Sequence, residues 1–530
     1  MVKKKNWLES RTLTPEMLAL AVQALEVVRL GVSVTDAVRK FPHKDGHLSK
    51  PALVAAYNQL VESGEWDPDP DVLQRIRLKP VRTLSGVTTV TVLTKPYPCP
   101  GECIFCPDEA RMPKSYLSDE PGAMRAVEQE FDPYNQVRVR IEALEAVGHP
   151  TDKIELLILG GTFSSYRRDY QEWFVRRCFE AMNGIESEDL ASAQAENESA
   201  AHRNVGLAVE TRPDEITADE LAWFRKLGVT KVQMGAQSLD DRLLELNKRG
   251  HTVAETHSAV SLLRRAGFKT VLHWMPNLLG ATPASDREDF GRLWQGVCPD
   301  EIKIYPTQLL ENAPLFATWQ RGEYHPYTTE TLIDLIADIK PTIPPYCRVN
   351  RVIRDIPSTH VIEGNRRTSL RQDVQAELGR RGTACNCIRC REVRGREVDV
   401  QSLNLEDLTY HPDGAEEHFL AYLTPERRIA GFLRLSLPDK DTVPIAGLPD
   451  LEGAAIIREL HIYGQSLPVG AEQSGAAQHV GLGTRLLEQA AAIARAGEYH
   501  RLAVIAAVGT RQYYCERGFE RGKLYLFRRL

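Results

Sequence analysis

From about residue 87 onward the apolar positions of the chain alternate between two rhythms. Short apolar runs at 87–93, 154–159, 205–209, 231–234, 269–273 and 301–305 read as strands. Between them, apolar residues return every three or four positions at 138–147, 170–182, 219–227, 253–266 and 286–294, which is the rhythm of amphipathic helices. This alternation predicts a parallel sheet with right-handed crossovers. Six units rather than eight predict a partial, open (β/α)6 barrel over residues 81–345, with its chemistry on the loops that follow the strands. Residues 187–201, rich in Glu, Ala and Ser, break the rhythm and read as a solvated or mobile insertion.

Both ends of the chain have other patterns. Residues 1–80 read as a small helical unit. Pro15 stands at a first helical position, Leu18, Val22, Leu25 and Val28 recur at helical spacing, Thr35-Asp36 opens a second helix and Lys50-Pro51 a third. The unit suits either a packing cap or a nucleic-acid contact. Residues 404–530 read as a mixed α/β domain, with strands at 418–423, 429–437, 455–463, 502–506 and 524–528 and helices at 482–495 and 510–515. Residues 346–403 between the two α/β regions read as an arginine-rich connector.

A chain of 530 residues holds three or four structural units at roughly 100–200 residues each. No apolar run approaches the ~20 residues of a membrane span. The basic start MVKKKNWLES lacks the apolar stretch of a signal peptide, which predicts a cytoplasmic protein. The net charge of −6 does not suggest a nucleic-acid partner, but its distribution does: residues 348–396 carry twelve arginines against five acidic residues, a patch able to neutralise phosphates. Six of the ten cysteines form two tight groups, and in a reducing compartment such groups point to metal.

Cys99, Cys103 and Cys106 follow the first predicted strand, in KPYPCPGECIFCPD. Three thiolates hold three irons of a [4Fe–4S] cluster and leave the fourth iron open, whereas the usual protein cluster takes four cysteines. A closed zinc site with a distant fourth ligand is the alternative. The segment resembles the radical S-adenosylmethionine (SAM) superfamily. That resemblance implies that SAM chelates the open iron and is cleaved to a 5′-deoxyadenosyl radical. Gly160, Gly161 and Thr162 end the second strand, Glu210 the third and Gln237 the fourth. Their succession at strand ends predicts a SAM site.

In the last domain, QHVGLGTRLLEQA places Gly481, Leu482, Gly483 and Thr484 at a helix start, where backbone N–H groups suit a pyrophosphate. The segment resembles the signature of GNAT-type acetyltransferases, with Gln478 as its first residue. The resemblance implies acetyl-CoA on this loop and its thioester beside Glu459, Leu460, His461 and Ile462. The downstream GTRQYYCERGF resembles the same family's aromatic–x–x–x–G–F segment, which implies Tyr513 or Tyr514 near the thioester sulfur as a general acid.

Both signatures on one chain, with VRTLSGV, SYLSDEPGAMRA, LILGGTF, NKRGHT and DIPSTHVIEGN between and around them, resemble the family of Elongator catalytic subunits in its single-chain prokaryotic form. The resemblance implies carboxymethylation at carbon 5 of the wobble uridine of tRNA. The deoxyadenosyl radical takes hydrogen from the acetyl methyl group, the carbon radical adds to the uracil, oxidation restores the ring and the thioester is hydrolysed. It further implies an electron donor as partner, binding of an anticodon stem-loop and an acetyl-CoA contact at Lys153. The second cysteine group, Cys385, Cys387 and Cys390, has spacing that suits a structural zinc, with His360 and Cys347 as candidate fourth ligands. A protein lysine acetyltransferase with a structural iron–sulfur cluster is the rival function. The sequence leaves open the oligomeric state, further Elongator subunits, the tRNAs used and how the acetyl group meets the radical.

Overall fold

The computed structural model describes residues 13–43, 46–80, 83–394, 396, 398–463 and 481–530. Four short helices, Pro15–Arg29, Val34–Lys40, Lys50–Glu62 and Pro70–Ile76, form the N-terminal unit. Thr14, Ser33, Ser49 and Asp69 cap them by accepting backbone N–H groups. Ala21, Leu25, Val28, Leu53, Val54 and Ile76 close a core of their own. The unit is tied to the next one where the Arg77 guanidinium donates to the Gly148 carbonyl at 2.6 Å.

The central unit is one parallel sheet in strand order: β1 (Thr88–Leu93), β2 (Lys153–Leu159), β3 (Arg203–Thr211), β4 (Lys231–Gln237), β5 (Lys269–Trp274), β6 (Glu301–Ile304) and β7 (Arg348–Val352). The open barrel of the sequence reading is present with one strand more than the six expected. β7 lies in the stretch read as a connector. Its sequence, RVNRV, buries only Val349 and Val352, while Arg348, Asn350 and Arg351 line a cavity, so no apolar run announces it. The supposed connector continues with a helix, Leu370–Arg380, followed by Arg381, which pairs with Asp334 and Asp338 of the preceding helix at 2.6 and 2.7 Å.

Residues 187–201 are not a mobile insertion. Asp189 caps a helix, Leu190–Asn197, that buries Leu190, Ala193, Gln194 and Asn197. Asn197 donates to the Asn183 side chain at 2.8 Å, and Glu198 pairs with Arg511 and Arg521 of the last domain. Small and polar residues hid a packed element here because their burial is satisfied by hydrogen bonds rather than by apolar area.

The last domain is a second sheet, ordered β13-β14-β12-β11-β10-β9-β8. Its strands are β8 (Asn404–Tyr410), β9 (Ala415–Leu423), β10 (Ile429–Pro438), β11 (Ala454–Ile462), β12 (Arg501–Val504), β13 (Glu520–Arg521) and β14 (Leu526–Arg529). β11 and β12 run parallel, paired only from Ala454 to Ile457, and the other pairs are antiparallel. Beyond Ile457 the β11 edge is therefore free of β12.

This sheet caps the N-terminal ends of the parallel strands. Arg458 reaches Asp300 at 2.6 Å and Glu417 at 2.9 Å, with all three side chains fully buried. Arg434 joins Asp300 to Glu459, and Lys269 joins Glu459 to Glu301. Tyr346 stacks on Tyr410 with centroids 3.8 Å apart, and Tyr525 donates to the Ala266 carbonyl at 2.6 Å. Removing one partner from such a buried network costs about 3–5 kcal/mol, so the two sheets form one body.

Candidate active site

The loop after β1 puts Cys99, Cys103 and Cys106 at the C-terminal end of the half-barrel. Donors converge on the sulfurs: Gly101 N–H on Cys99 at 3.4 Å and the Arg249 guanidinium on Cys103 at 3.4 Å, while Thr162 Oγ1 lies 3.7 Å from Cys99. Burial first, then neighbouring Cys103, pushes the Cys106 thiol up to about 12. Coordinated iron reverses that preference, because a metal-bound thiol is deprotonated outright.

Around this loop the strand ends form a cradle. Gly160 sits at φ 136°, and a Cβ there would meet Thr94 Oγ1 at 1.9 Å; Gly161 follows at φ 91°. Only glycine permits this path, and it leaves bare backbone beside the cysteines. Glu210 accepts a hydrogen bond from Tyr116 Oη at 2.8 Å and lies 3.5 Å from His273. Gln237 takes a left-handed backbone at φ 68°, and its amide oxygen is buried with no partner among the described residues. An orphaned acceptor beside bare backbone and three thiols fits an amino- and hydroxyl-bearing ligand on a cluster.

At the opposite end of the half-barrel lies β11. Glu459 is not a free base: burial alone would raise its carboxyl, but Lys269 and Arg434 outweigh this and hold it at about 2. Burial pushes the His461 imidazole down to about 4, so it is neutral, and its Nε2 has no partner among the described residues. It lies between Phe432, stacked at 5.9 Å, and Tyr463 at 4.4 Å. Tyr513 Oη stands beside Gly483, where a Cβ would approach it to 2.4 Å, and Leu460 borders the same point. Gly481, at φ 71°, opens the helix Leu482–Ala496, and Thr484 accepts a hydrogen bond from Arg517 at 3.1 Å. Ile462 continues β11 opposite Gly431. Gln478 lies outside the described residues.

A single cavity of ≈ 960 Å³ runs between the two ends. Its wall includes Cys99, Cys103, Cys106, Gly161, Thr162, Glu210 and Gln237 at one end and Glu459, Leu460, His461 and Tyr514 at the other. Lys153 and Tyr513 do not line it; Lys153 sits at the start of β2, on the last-domain side, where burial lowers its pKa. Sequence reasoning missed Tyr116, Gln233, Arg249, His273, Lys303 and Arg354, all on this wall. Gln233, His273 and Lys303 were detectable in principle, as polar residues at inward positions of otherwise apolar strands.

The second triad is built differently. The sulfurs of Cys385, Cys387 and Cys390 lie within 4.8 Å of one another, a spacing for one ion, and none of them lines the cavity. Neither proposed fourth ligand joins them. His360 is held by Asp119 at 2.6 Å, and the Cys347 sulfur is outside the group although its carbonyl accepts the Ile388 N–H at 3.0 Å. Many arginines of the basic stretch are also committed internally. Arg366 donates to the Val361 and Ile362 carbonyls and Arg371 to that of Val349, while burial lowers Arg371 to about 10.

Comparison with known proteins agrees with this layout. Residues 97–291 match the Radical SAM superfamily, and residues 299–380 match the Radical_SAM C-terminal domain. A tRNA uridine(34) acetyltransferase of Dehalococcoides mccartyi is 42% identical over 446 residues, covering 83% of this chain and 96% of that protein. One from Methanocaldococcus infernus is 39% identical over 545 residues, covering 99% and 97%. Elongator complex protein 3 of Saccharomyces cerevisiae is 35% identical over 94% of this chain and 92% of its own length. The solved structure of M. infernus Elp3 with an N-terminal deletion superposes with a TM-score of 0.73 at 34% identity, over 84% of this chain and all of that one. No helix among the described residues is long and apolar enough to cross a membrane. The chain belongs to the radical SAM family of tRNA uridine(34) acetyltransferases and Elongator catalytic subunits.

Proposed function

We propose that this chain converts the wobble uridine of tRNA to 5-carboxymethyluridine, using SAM, acetyl-CoA and an electron donor in the cytoplasm. The observation that carries the reading is the shared cavity, with three cysteines at one end and the free edge of β11 at the other. A [4Fe–4S] cluster on Cys99, Cys103 and Cys106 supplies, when bound, the electron that cleaves SAM to a 5′-deoxyadenosyl radical. The protein does the positioning. Gly160 and Gly161 admit SAM close to the backbone, while Gln237 and Glu210 offer acceptors to its amino and hydroxyl groups. Gly481–Thr484 takes the acetyl-CoA pyrophosphate at a helix N-terminus, Leu460 and His461 border the thioester, and Tyr513 or Tyr514 protonates the departing thiolate. A zinc ion on Cys385, Cys387 and Cys390 pins the arginine-rich segment on which the anticodon arm docks. Arg348, Arg351, Arg389 and Arg394 also line the cavity wall, where Arg348 and Arg394 share Glu392, Arg351 pairs with Asp355 and Arg389 donates to the Asn350 carbonyl.

The rival, a lysine acetyltransferase, needs a base on or near β11 to free an amine. Glu459 is held by two cations and His461 is a weak base, which speaks against it. The test is anaerobic incubation of the reconstituted protein with unmodified tRNA, SAM, acetyl-CoA and a strong reductant, followed by mass spectrometry of the nucleosides. Carboxymethyluridine is the expected product; SAM cleavage with unaltered nucleosides would refute the reading.

A further inference from the structure

Midway along the cavity, three neighbouring strands present polar side chains that the chemistry above does not use. They are Gln233 of β4, His273 of β5 and Lys303 of β6, only 2%, 6% and 8% exposed. Lys303 donates to the Gln233 amide oxygen, and His273 Nε2 lies 3.4 Å from that same oxygen. Tyr305, just past the end of β6, also lines the wall, its ring 5.4 Å from the His273 ring and 5.8 Å from the Lys303 ammonium.

One layer toward β11, every cation is neutralised. Lys231 pairs with Glu155 and Glu301, and Lys269 with Glu301 and Glu459. Lys303 differs: its contacts among the described residues are the neutral Gln233 amide and the Tyr305 ring, with no carboxylate in ion-pair range. A buried ammonium without a counter-charge is expensive, and Lys303 lines the cavity. Lysine can only donate, so it also orients the Gln233 amide. The amide oxygen is taken up by Lys303, which leaves the amide NH2 pointing away from the ammonium. Burial holds His273 well below its usual range, so it adds no second charge. Lys303 and the Gln233 amide therefore present donors, and Tyr305 a flat aromatic face, to whatever enters, while the Glu210 carboxylate lies 3.5 Å from His273 on its other side.

Such a surface discriminates between pyrimidines. Uracil carries a carbonyl oxygen at carbon 4, beside the carbon that is modified; cytosine carries an amino group there, which would point N–H at N–H. We propose that Lys303, supported by Gln233, receives the carbon-4 oxygen of the target uracil against Tyr305 and thereby selects uracil over cytosine. This inference rests on the proposed function, since it assigns the base-specific contact of that same cavity. Sites that hydrogen-bond a substrate group reject analogues lacking it, because their own buried groups are then left unpaired.

The test measures binding of anticodon stem-loops, long enough to carry phosphate contacts, to the reconstituted protein without turnover. The loops differ only at position 34: uridine, cytidine or 4-deoxyuridine, which lacks the oxygen. The wild-type chain should favour uridine by roughly 10- to 100-fold over both. In Lys303→Met the preference should fall to within about twofold, through weaker binding of the uridine loop and relief of the clash with the cytidine amino group. Lys303→Arg, which keeps a donor, should retain part of the preference. An undiminished preference in Lys303→Met, or equal wild-type affinity for uridine and 4-deoxyuridine, overturns the proposal. The wild-type comparison stands even if a variant fails to fold. Loss of acetyl-CoA affinity in Lys303→Met with the base preference intact would assign Lys303 to the acyl carbonyl and also overturn it. Failure of the underlying reading looks different: the wild-type protein would then produce no carboxymethyluridine from any loop.

Discussion

The two cysteine triads show how the same residue type can serve opposite ends. Cys99, Cys103 and Cys106 sit on a loop at the mouth of the strands and line the cavity, with sulfurs reached by Gly101 N–H, Arg249 and Thr162. Cys385, Cys387 and Cys390 converge within 4.8 Å behind β7 and do not touch the cavity. The first arrangement leaves room for a ligand beyond the protein's own sulfurs, and the second gathers a segment. Spacing in sequence, x3-x2 against x1-x2, differs between them, and so does access to the cavity.

Substitutions should split the two. The largest effect is expected from Cys103→Ala: SAM cleavage and nucleoside modification should fall on the order of 1000-fold or more, with the melting temperature little changed. Formation of 5′-deoxyadenosine and calorimetry measure both. Cys387→Ala, or chelation of the second triad, should do the reverse. Stability should drop by several kcal/mol, about 10 °C or more in Tm, while the iron–sulfur absorbance of the folded fraction persists. Equal loss of catalysis and stability in both variants would erase the distinction.

The network between the sheets gives a smaller, pH-dependent effect. Glu459 is held at about 2 against a usual value of 4.5, so its pairing stabilises the fold above the usual value and is lost as pH falls through about 2. Thermal melts of the wild-type protein should decline across that acidic window. Glu459→Gln should melt lower at neutral pH, by about 3–5 kcal/mol, and show a shallower acid decline; a parallel curve would remove Glu459 from the network. The smallest effect is expected from Tyr513→Phe, which leaves the packing beside Gly483 intact. If its hydroxyl protonates the thiolate, CoA release should slow by about tenfold to 100-fold, and unchanged release would point to Tyr514.

Much of this was legible in the sequence, for physical reasons. β3 to β6 are buried along most of their length, whereas β1 and β2 alternate between buried and partly exposed positions, and both patterns mark strands. The cysteine loop, Gly160-Gly161, Glu210 and Gln237 stand where those strands end. β7 was hidden because Arg348, Asn350 and Arg351 face the cavity, and β8 because it is an edge strand exposed along nearly its whole length. The helix Leu190–Asn197 was hidden by small and polar residues that pack through hydrogen bonds. Lys303, Gln233 and His273 looked like strand residues, since their meaning arises only when three strands align. Glu459 shows the converse: the resemblance places it by the thioester, yet its charge belongs to Lys269 and Arg434.

The central claim is that radical and acetyl group meet in one cavity. Acetyl-CoA trideuterated on the methyl group, supplied with tRNA, SAM and reductant, tests it directly. One deuterium should appear in 5′-deoxyadenosine, with two retained in the carboxymethyl group of the nucleoside. Deuterium-free 5′-deoxyadenosine formed alongside modified nucleoside would contradict it.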